Sequence, residues 1–151
     1  MGENDWESLQ LKVAMAAGAL LIDGVASELE IHDPHFSRES LDELADSVLQ
    51  AARVKMTKPE FISCPGCGRT LYDLESTFAE VKRRTAHLAG VKIAVMGCVV
   101  NGPGEMADAD YGYVGEGRGH VTLYRGKTPV LRYIPQEEAI DKLLELIASD
   151  R

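Results

Sequence analysis

The chain has 151 residues, a length typical of one domain or slightly more than one. Hydrophobic residues make up 45% of it and charged residues 26%, which is ordinary for a globular protein. No apolar run approaches the roughly 20 residues of a transmembrane helix, and the N-terminus lacks the basic start and apolar core of a signal peptide. The net charge of −8 argues against nucleic-acid binding by general electrostatic attraction. We therefore expect a cytoplasmic or plastid-stromal protein without a membrane or nucleic-acid partner.

Acidic residues are concentrated in the first third of the chain. Residues 1–50 hold eleven Asp/Glu against two Lys/Arg, whereas residues 51–151 hold thirteen Asp/Glu against fourteen Lys/Arg. A step of this kind marks a candidate domain boundary. We expect residues 1–57 to be the C-terminal remnant of a preceding domain and residues 58–151 to form a domain of their own.

The first segment has the pattern of two helices around a strand. Apolar residues at helical spacing predict a helix over 6–17, and the continuous apolar run 19–22 predicts a buried strand after it. A further short strand is expected over 29–31, and Ser37 is expected to cap a helix over 38–54. This partial helix–strand–helix segment is too small to form an independent core.

Residues 58–151 have a different order of elements. We expect a helix over 73–86, a last helix that Pro135 begins, and strands at 61–62, 91–95, 112–115, 120–124 and 130–134. The order β-α-β-turn-β-β-β-α predicts an α+β fold, in which a mixed sheet carries its helices on one face.

Three cysteines are the most informative residues of the second segment. An odd number of cysteines without a signal peptide is poor evidence for disulfides, so metal or redox chemistry explains them better. Cys64 and Cys67 follow one predicted strand and Cys98 follows another, so parallel pairing of these strands would bring the thiols together at one edge of the sheet. Iron–sulfur clusters commonly use four cysteines, and three leave one position open. Glu105, just past a Gly-Pro-Gly turn, is placed to fill it.

Other interpretations of the cysteines stay open. The Cys64-Pro-Gly-Cys67 sequence is also the usual knuckle of a structural zinc site, which Cys98 and either His87 or His120 would complete. The pair could instead form a thiol oxidoreductase site, although that motif normally opens a helix. A non-catalytic iron–sulfur carrier is a third alternative, and Cys98 alone could be a small buried hydrophobic residue.

Residues around the cysteines favour turns. Gly66 and Gly68 permit positive φ, which would let backbone N–H groups point toward the sulfurs. Taken alone, Asn101 is typical of a turn residue at positive φ, and Glu105 of a solvated acid at a helix start.

Two long motifs resemble one enzyme family. They are FISCPGCGRTL at residues 61–71 and VKIAVMGCVVNGPGEMADAD at residues 91–110. Together they resemble the 4-hydroxy-3-methylbut-2-enyl diphosphate synthases of the methylerythritol phosphate route to isoprenoids. The resemblance covers residues 58–148. Residues 9–24 are similar to the longer, plant-like form of the family, which carries an extra domain between its barrel and its cluster domain, so the preceding domain would be this barrel-like insert.

The resemblance implies a cofactor and an activity. Cys64, Cys67 and Cys98 would bind a [4Fe-4S] cluster. Glu105 would be the displaceable fourth ligand, and Asn101 would lie near the reacting oxygen of the substrate. The family opens the ring of 2-C-methyl-D-erythritol 2,4-cyclodiphosphate and removes a hydroxyl with two electrons, which come from reduced ferredoxin or flavodoxin. Its cluster domain is similar to the sulfite and nitrite reductase fold.

The resemblance also implies what this chain needs from elsewhere. The family binds the substrate diphosphate on a TIM barrel that closes on the cluster domain, and these 151 residues hold no barrel. We therefore expect the cluster-bearing part of an oxidoreductase, inactive in isolation, whose full-length protein is a homodimer.

Overall fold

The computed structural model describes residues 5–106 and 108–151. Residues 1–4, which belong to the predicted first domain, and residue 107, which belongs to the second motif, lie outside the described residues. The chain divides between Thr57 and Lys58 into two compact units.

The first unit contains two helices, α1 (Trp6–Ile22) and α2 (Arg38–Ala51). Each begins at a polar cap: the Asp5 carboxylate accepts a hydrogen bond from the Ser8 N–H, and the Ser37 hydroxyl accepts one from the Ser40 N–H. The predicted strand over 19–22 is wrong, because these residues form the last turns of α1. A short apolar run has no periodicity that distinguishes a strand from a buried helix segment.

Two further boundaries in this unit differ from the prediction. Residues 29–31 form no strand, although Leu29 and Ile31 do contribute to the core. Helix α2 ends at Ala51 rather than at 54, because Arg53 adopts a left-handed backbone conformation with φ of 62° that no helix continues through.

The core of the first unit lies between its two helices, where Leu41, Leu44 and Ala45 of α2 are buried. Other apolar side chains of the same unit stay exposed. They are Leu11, Met15, Leu20, Ile22 and Val25, most of them on α1. Helix α1 is therefore apolar on more than the side that its own unit covers.

The second unit is an α+β fold with one mixed sheet, as predicted. Its strands are β1 (Glu60–Ser63), β2 (Lys92–Met96), β3 (Tyr111–Gly115), β4 (His120–Arg125) and β5 (Thr128–Pro135). Its helices are α3 (Leu74–Thr85), the short α4 (Gly102–Glu105) and α5 (Gln136–Ser149). The strands lie in the order β1-β2-β3-β4-β5; the first three are parallel to one another, and β3, β4 and β5 pair antiparallel. The prediction missed α4, which occupies the Gly-Pro-Gly turn, and Pro135 ends β5 rather than beginning α5.

Helices α3 and α5 cover one face of the sheet. Alternate strand residues point into a core that the two helices complete. Its fully buried members are Val81, Ile93, Val95, Tyr113, Val121, Leu123, Ala139 and Leu143. The other face carries a smaller cluster, in which Met106 and Ala109 of the segment after α4 pack on Ala94, Met96 and Val114. The prediction of helices on one face holds for α3 and α5, whereas the short α4 lies beside Met96 and Val114 of the other face. The likeness to sulfite and nitrite reductases stays a prediction.

None of the helices that the structure describes is both long and apolar enough to cross a lipid bilayer.

Candidate metal centre

Parallel strands place the two cysteine-bearing loops side by side. Strands β1 and β2 are neighbours, and Ser63 at the end of β1 is in register with Val95 of β2. Cys64 comes directly after β1, and Gly97 and Cys98 come directly after β2. Because both strands run in the same direction, their carboxyl ends lie at one edge of the sheet. The predicted adjacency of these strands is confirmed.

A cleft of about 110 Å³ lies at this edge, and we call it the cysteine cleft. The residues in its wall include all five predicted site residues: Cys64, Cys67, Cys98, Asn101 and Glu105. A cavity needs only about 10–15 Å³ to hold one water molecule, so the cysteine cleft has room for a group of several atoms. The thiols are unevenly exposed, since Cys98 is buried, Cys64 is half-buried and Cys67 is exposed.

Backbone N–H groups point at two of the sulfurs. The Gly97 N–H donates a hydrogen bond to Cys64 Sγ, at 3.3 Å. The Arg69 N–H does the same for the Cys67 sulfur, and this bond, followed by the Arg69 side chain, lowers the pKa of the Cys67 thiol. The contact from Arg69 favours the thiolate of Cys67, which is the form that binds metals.

The loop that carries Cys64 and Cys67 is tied into a tight turn. Of the two glycines that permit positive φ, Gly66 adopts it, with a φ of +78°, and Gly68 does not. The Cys67 N–H donates to Thr70 Oγ1 at 3.0 Å, and the Thr70 N–H donates back to the Cys67 carbonyl oxygen at 2.9 Å. Thr70 therefore fixes the turn in which Cys67 lies.

The close approach of the two loops requires glycine at position 97. A Cβ added to Gly97 would lie 2.7 Å from Thr70 Oγ1 and 3.0 Å from Thr70 Cγ2. The Leu71 N–H also donates to the Gly97 carbonyl oxygen, at 3.3 Å. The side chain that orders the first cysteine loop thus packs directly on the backbone of the second.

Helix α4 brings Asn101 and Glu105 to the same cleft. A Cβ added to Gly102 would lie 2.9 Å from Val114 Cγ1 and 3.0 Å from Met96 Cβ, so glycine lets α4 pack closely on the ends of β2 and β3. Glu105 lies at the last position of α4 and is exposed. Asn101 has a φ of −106°, so the positive φ expected of it is wrong; it precedes a helix instead of forming an isolated turn.

The alternative zinc ligands lie elsewhere in the described part of the chain. His120 stacks on the Tyr133 ring with centroids 4.0 Å apart, and His87 lies beside Leu88 and Arg151. Across residues 5–106 and 108–151, no three His, Cys, Asp or Glu side chains are arranged to hold a single metal ion.

The Cys64–Cys67 pair also differs from a thioredoxin-type site. Such a pair normally opens a helix, whereas α3 begins only at Leu74, behind its own cap at Asp73. No disulfide joins the two cysteines in this structure.

Sequence reasoning missed three residues of this site. Thr70 and Arg69 lie inside the first motif, so their position there was the available signal. Tyr72 lies one residue past that motif, and its hydroxyl donates a 2.8 Å hydrogen bond to the Met96 carbonyl oxygen at the end of β2. Burial, followed by the proximity of Tyr113, Cys64 and Cys98, raises the pKa of Tyr72 well above its ordinary value.

The fold and the cleft can be compared with known proteins. The family model of the GcpE protein C-terminal domain matches residues 60–149. A protein of Bacteroides thetaiotaomicron, named 4-hydroxy-3-methylbut-2-en-1-yl diphosphate synthase (flavodoxin), is 54% identical over 150 residues, which are 99% of this chain and 24% of that protein. Proteins of the same name are 56% identical in Leptospira interrogans, over 89% of this chain and 20% of theirs, and 52% identical in Chlorobaculum tepidum, over 91% and 18%.

The chain thus spans about a quarter or less of the length of these curated relatives. The family match covers more than half of the chain and contains all three cysteines, Asn101 and Glu105. The chain belongs to the GcpE family, and its residues 60–149 are the C-terminal domain of that family.

Proposed function

We propose that this chain is the cluster-bearing C-terminal part of a 4-hydroxy-3-methylbut-2-enyl diphosphate synthase. The full-length enzyme would reductively open 2-C-methyl-D-erythritol 2,4-cyclodiphosphate in isoprenoid biosynthesis. The observation that carries the proposal is that Cys64, Cys67, Cys98 and Glu105 line one cleft beyond the ends of two parallel strands. The relatives of this name match nearly the whole chain and support the assignment.

The donors of the cysteine cleft fit a [4Fe-4S] cluster. Cysteine thiolates are the usual ligands of such clusters, and hydrogen bonds to their sulfurs help to set the reduction potential. The N–H groups of Gly97 and Arg69 supply hydrogen bonds of this kind to Cys64 and Cys67. Because the cysteine cleft has room for several atoms and presents three soft sulfur donors, it suits a cluster better than a single hard cation.

Glu105 is suited to be the exchangeable ligand. Its carboxylate is a harder donor than a thiolate, and it lies on the exposed end of α4 rather than in the core. When bound, the cluster supplies electrons one at a time and a Lewis-acidic iron. Movement of the Glu105 carboxylate would open a position for a substrate oxygen, and the Asn101 amide beside it would orient that oxygen by a hydrogen bond.

The rest of the enzyme would come from the longer protein. We place the diphosphate-binding surface on a barrel outside these 151 residues, and we interpret residues 5–57 as the end of a preceding insert domain, which the exposed apolar side chains of α1 support. Reduced flavodoxin or ferredoxin would supply the electrons, and the full-length enzyme would be a homodimer. The relatives are bacterial, which supports a cytoplasmic location over the plastid stroma.

Metal analysis after anaerobic purification tests the proposal. We expect about four iron and four sulfide ions per chain, with brown colour and negligible zinc. One zinc ion per chain without sulfide would replace the proposal with a structural zinc module. A reversible Cys64–Cys67 disulfide without metal would replace it with a thiol oxidoreductase.

A second test concerns the missing part of the enzyme. The reconstituted chain should not convert the cyclodiphosphate, even with a chemical reductant, because the diphosphate has no binding surface here. Turnover by the pure chain would contradict our assignment of substrate binding to the absent barrel. A stable cluster that is indifferent to loss of Glu105 would instead indicate a non-catalytic iron–sulfur carrier.

A further inference from the structure

We propose that Tyr72 is a positioning residue of the cysteine cleft, because its hydroxyl holds the Met96–Gly97 peptide so that the Gly97 N–H points at the Cys64 sulfur. The inference about geometry concerns the chain alone. Its consequence for reduction potential rests on the proposed function.

The two hydrogen bonds share one peptide group. The Tyr72 hydroxyl donates to the Met96 carbonyl oxygen at 2.8 Å, and the Gly97 N–H donates to Cys64 Sγ at 3.3 Å. These two polar groups belong to the same planar unit, so a bond that fixes the carbonyl oxygen also fixes the direction of the N–H. Rotation of that peptide would break both bonds together.

Packing holds the Tyr72 ring in place. It meets the Tyr113 ring edge to face, with centroids 5.6 Å apart and planes at 76°. On another side it lies so close to Gly115 that a Cβ there would be 2.9 Å from Tyr72 Cε1. These contacts restrict the ring, so its hydroxyl is a better-positioned donor than a water molecule at the same place would be.

The direction of the Tyr72 hydrogen bond suits this role. A carbonyl oxygen is an acceptor, so the Tyr72 hydroxyl is the donor of this bond. A hydrogen bond to the carbonyl polarises the peptide and strengthens the bond that the N–H of the same peptide donates. In a cluster, hydrogen bonds to the ligand sulfurs stabilise the more negative, reduced state. Tyr72 would therefore raise the reduction potential without touching the cluster.

Tyr113 offers a matched control. Its phenol lies in the same core against Tyr72, yet within the described part of the chain its hydroxyl oxygen is buried and has no hydrogen-bond partner. Tyr72→Phe and Tyr113→Phe each remove one buried hydroxyl from the same neighbourhood. Only Tyr72→Phe removes a hydrogen bond to the Met96–Gly97 peptide.

Two measurements on the full 151-residue chain test the inference. In the metal-free chain, NMR hydrogen exchange at the Gly97 amide should be roughly two- to tenfold faster in Tyr72→Phe than in the unsubstituted chain, as expected for loss of one hydrogen bond. In the anaerobically reconstituted chain, the reduction potential should become more negative in Tyr72→Phe. Tyr113→Phe should change neither quantity.

The outcomes separate this inference from the proposed function. Unchanged Gly97 exchange in Tyr72→Phe, or an equal change in Tyr113→Phe, would overturn the positioning role even if the chain binds a cluster. A chain that takes up no iron and sulfide would overturn the proposed function, while Gly97 exchange would still decide the role of Tyr72. If Tyr72→Phe does not fold, the test is made on the unsubstituted chain, by measuring exchange of the Tyr72 hydroxyl proton with water. The inference requires slow exchange, and fast exchange would contradict it.

Discussion

The two units of this chain solve the burial of apolar surface differently. In residues 58–151, a five-stranded sheet and two helices enclose a core with many side chains that have no solvent exposure, Ile93 and Val95 among them. In residues 5–57, two helices share a small core while Met15 and Ile22 are mostly in solvent. Residues 58–151 therefore cover their own apolar core, whereas residues 5–57 leave apolar side chains of α1 exposed.

This difference bears on where a rigid site can be built. The cysteine cleft belongs to the unit with the sheet, in which β2 pairs with β1 on one side and with β3 on the other and shares a core with α3 and α5. Residues 5–57 offer no such frame, and we assign them no chemistry.

The two units can be followed separately by spectroscopy. The one tryptophan of the chain, Trp6, packs on Phe36 in the first unit. All five tyrosines lie in the second unit. Tryptophan fluorescence therefore reports unfolding of residues 5–57, and near-UV circular dichroism of the tyrosines reports residues 58–151.

The largest effect is expected for Cys98→Ser. Serine is a poor ligand for the soft iron of a cluster, and Cys98 is the buried one of the three thiols. The reconstituted variant should lose most of its iron and sulfide, while the Trp6 signal stays unchanged. Val99→Ala, at the exposed neighbouring position, is the control and should keep its iron. Full iron content in Cys98→Ser would remove Cys98 from the ligand set.

The same truncation at one isoleucine in each unit should have unequal costs. Ile93 is fully buried and Ile22 is 72% exposed. Ile93→Ala should lower the free energy of unfolding of the second unit by about 2–5 kcal/mol, whereas Ile22→Ala should change that of the first by no more than about 0.5 kcal/mol. Urea unfolding followed by tyrosine and tryptophan signals measures both.

The result for Ile22 depends on what surrounds it. If residues 5–57 are the end of a preceding domain, Ile22→Ala should cost more in the longer protein than in this chain, since its side chain would then be covered. Equal costs in the two settings would contradict that interpretation.

A smaller effect is expected where the two cysteine loops touch. Gly97→Ala places a Cβ against the Thr70 side chain and should destabilise the second unit by about 1–3 kcal/mol, with weaker retention of iron. Gly104→Ala in α4 is the matched control, because an added Cβ there meets nothing within 4 Å. Equal urea midpoints for the two variants would show that the loops can separate without cost.

The smallest effect is a dependence on acid pH. The Arg125 guanidinium, at 2.6 and 2.7 Å, and then the Tyr111 hydroxyl hold the pKa of Asp150 below its ordinary 3.8. Because the folded-state pKa is the lower one, this stabilisation is present above about pH 4 and is lost as the pH falls through the lowered pKa. Asp150→Asn should lower the midpoint of urea unfolding at pH 7, as followed by the tyrosine signal. The difference between the midpoints at pH 7 and pH 3 should be smaller in this variant than in the unsubstituted chain.

The first unit provides the matching case for pH. There the His35 N–H donates to the Asp33 carboxylate at 2.9 Å and lowers the pKa of Asp33. Asp33→Asn should shift only the urea midpoint that is followed by tryptophan fluorescence. Asp150→Asn should shift only the midpoint that is followed by the tyrosine signal. A substitution that shifts both signals would mean that the units unfold as one.

The sequence was sufficient for the sheet and for the placement of the cysteines. Strands β2 to β5 have apolar runs bounded by turn residues, and Cys64 and Cys98 follow their strands directly, so strand adjacency brings them together. The predicted strand over residues 19–22 is wrong, since these residues belong to α1. A short apolar run does not itself distinguish helix from strand, and the neighbouring residues decide.

The contact of Tyr72 lay beyond prediction from the sequence. Its partner, Met96, is 24 residues away, and the contact depends on the register of two strands and on the close packing of Gly97 and Thr70. Tertiary packing of this kind leaves no local signal in the order of residues. The same holds for α4, a helix too short to have a periodic pattern.

Mössbauer spectroscopy of the chain reconstituted with ⁵⁷Fe tests most directly whether three thiols and one carboxylate share a cluster. We expect one iron in four to differ from the other three, and Glu105→Gln to change that signal alone. Glu75→Gln, on the exposed first turn of α3, should leave the spectrum as it is. A spectrum of four iron sites that does not change in Glu105→Gln would contradict the shared cluster. A spectrum of a single mononuclear iron would contradict it as well.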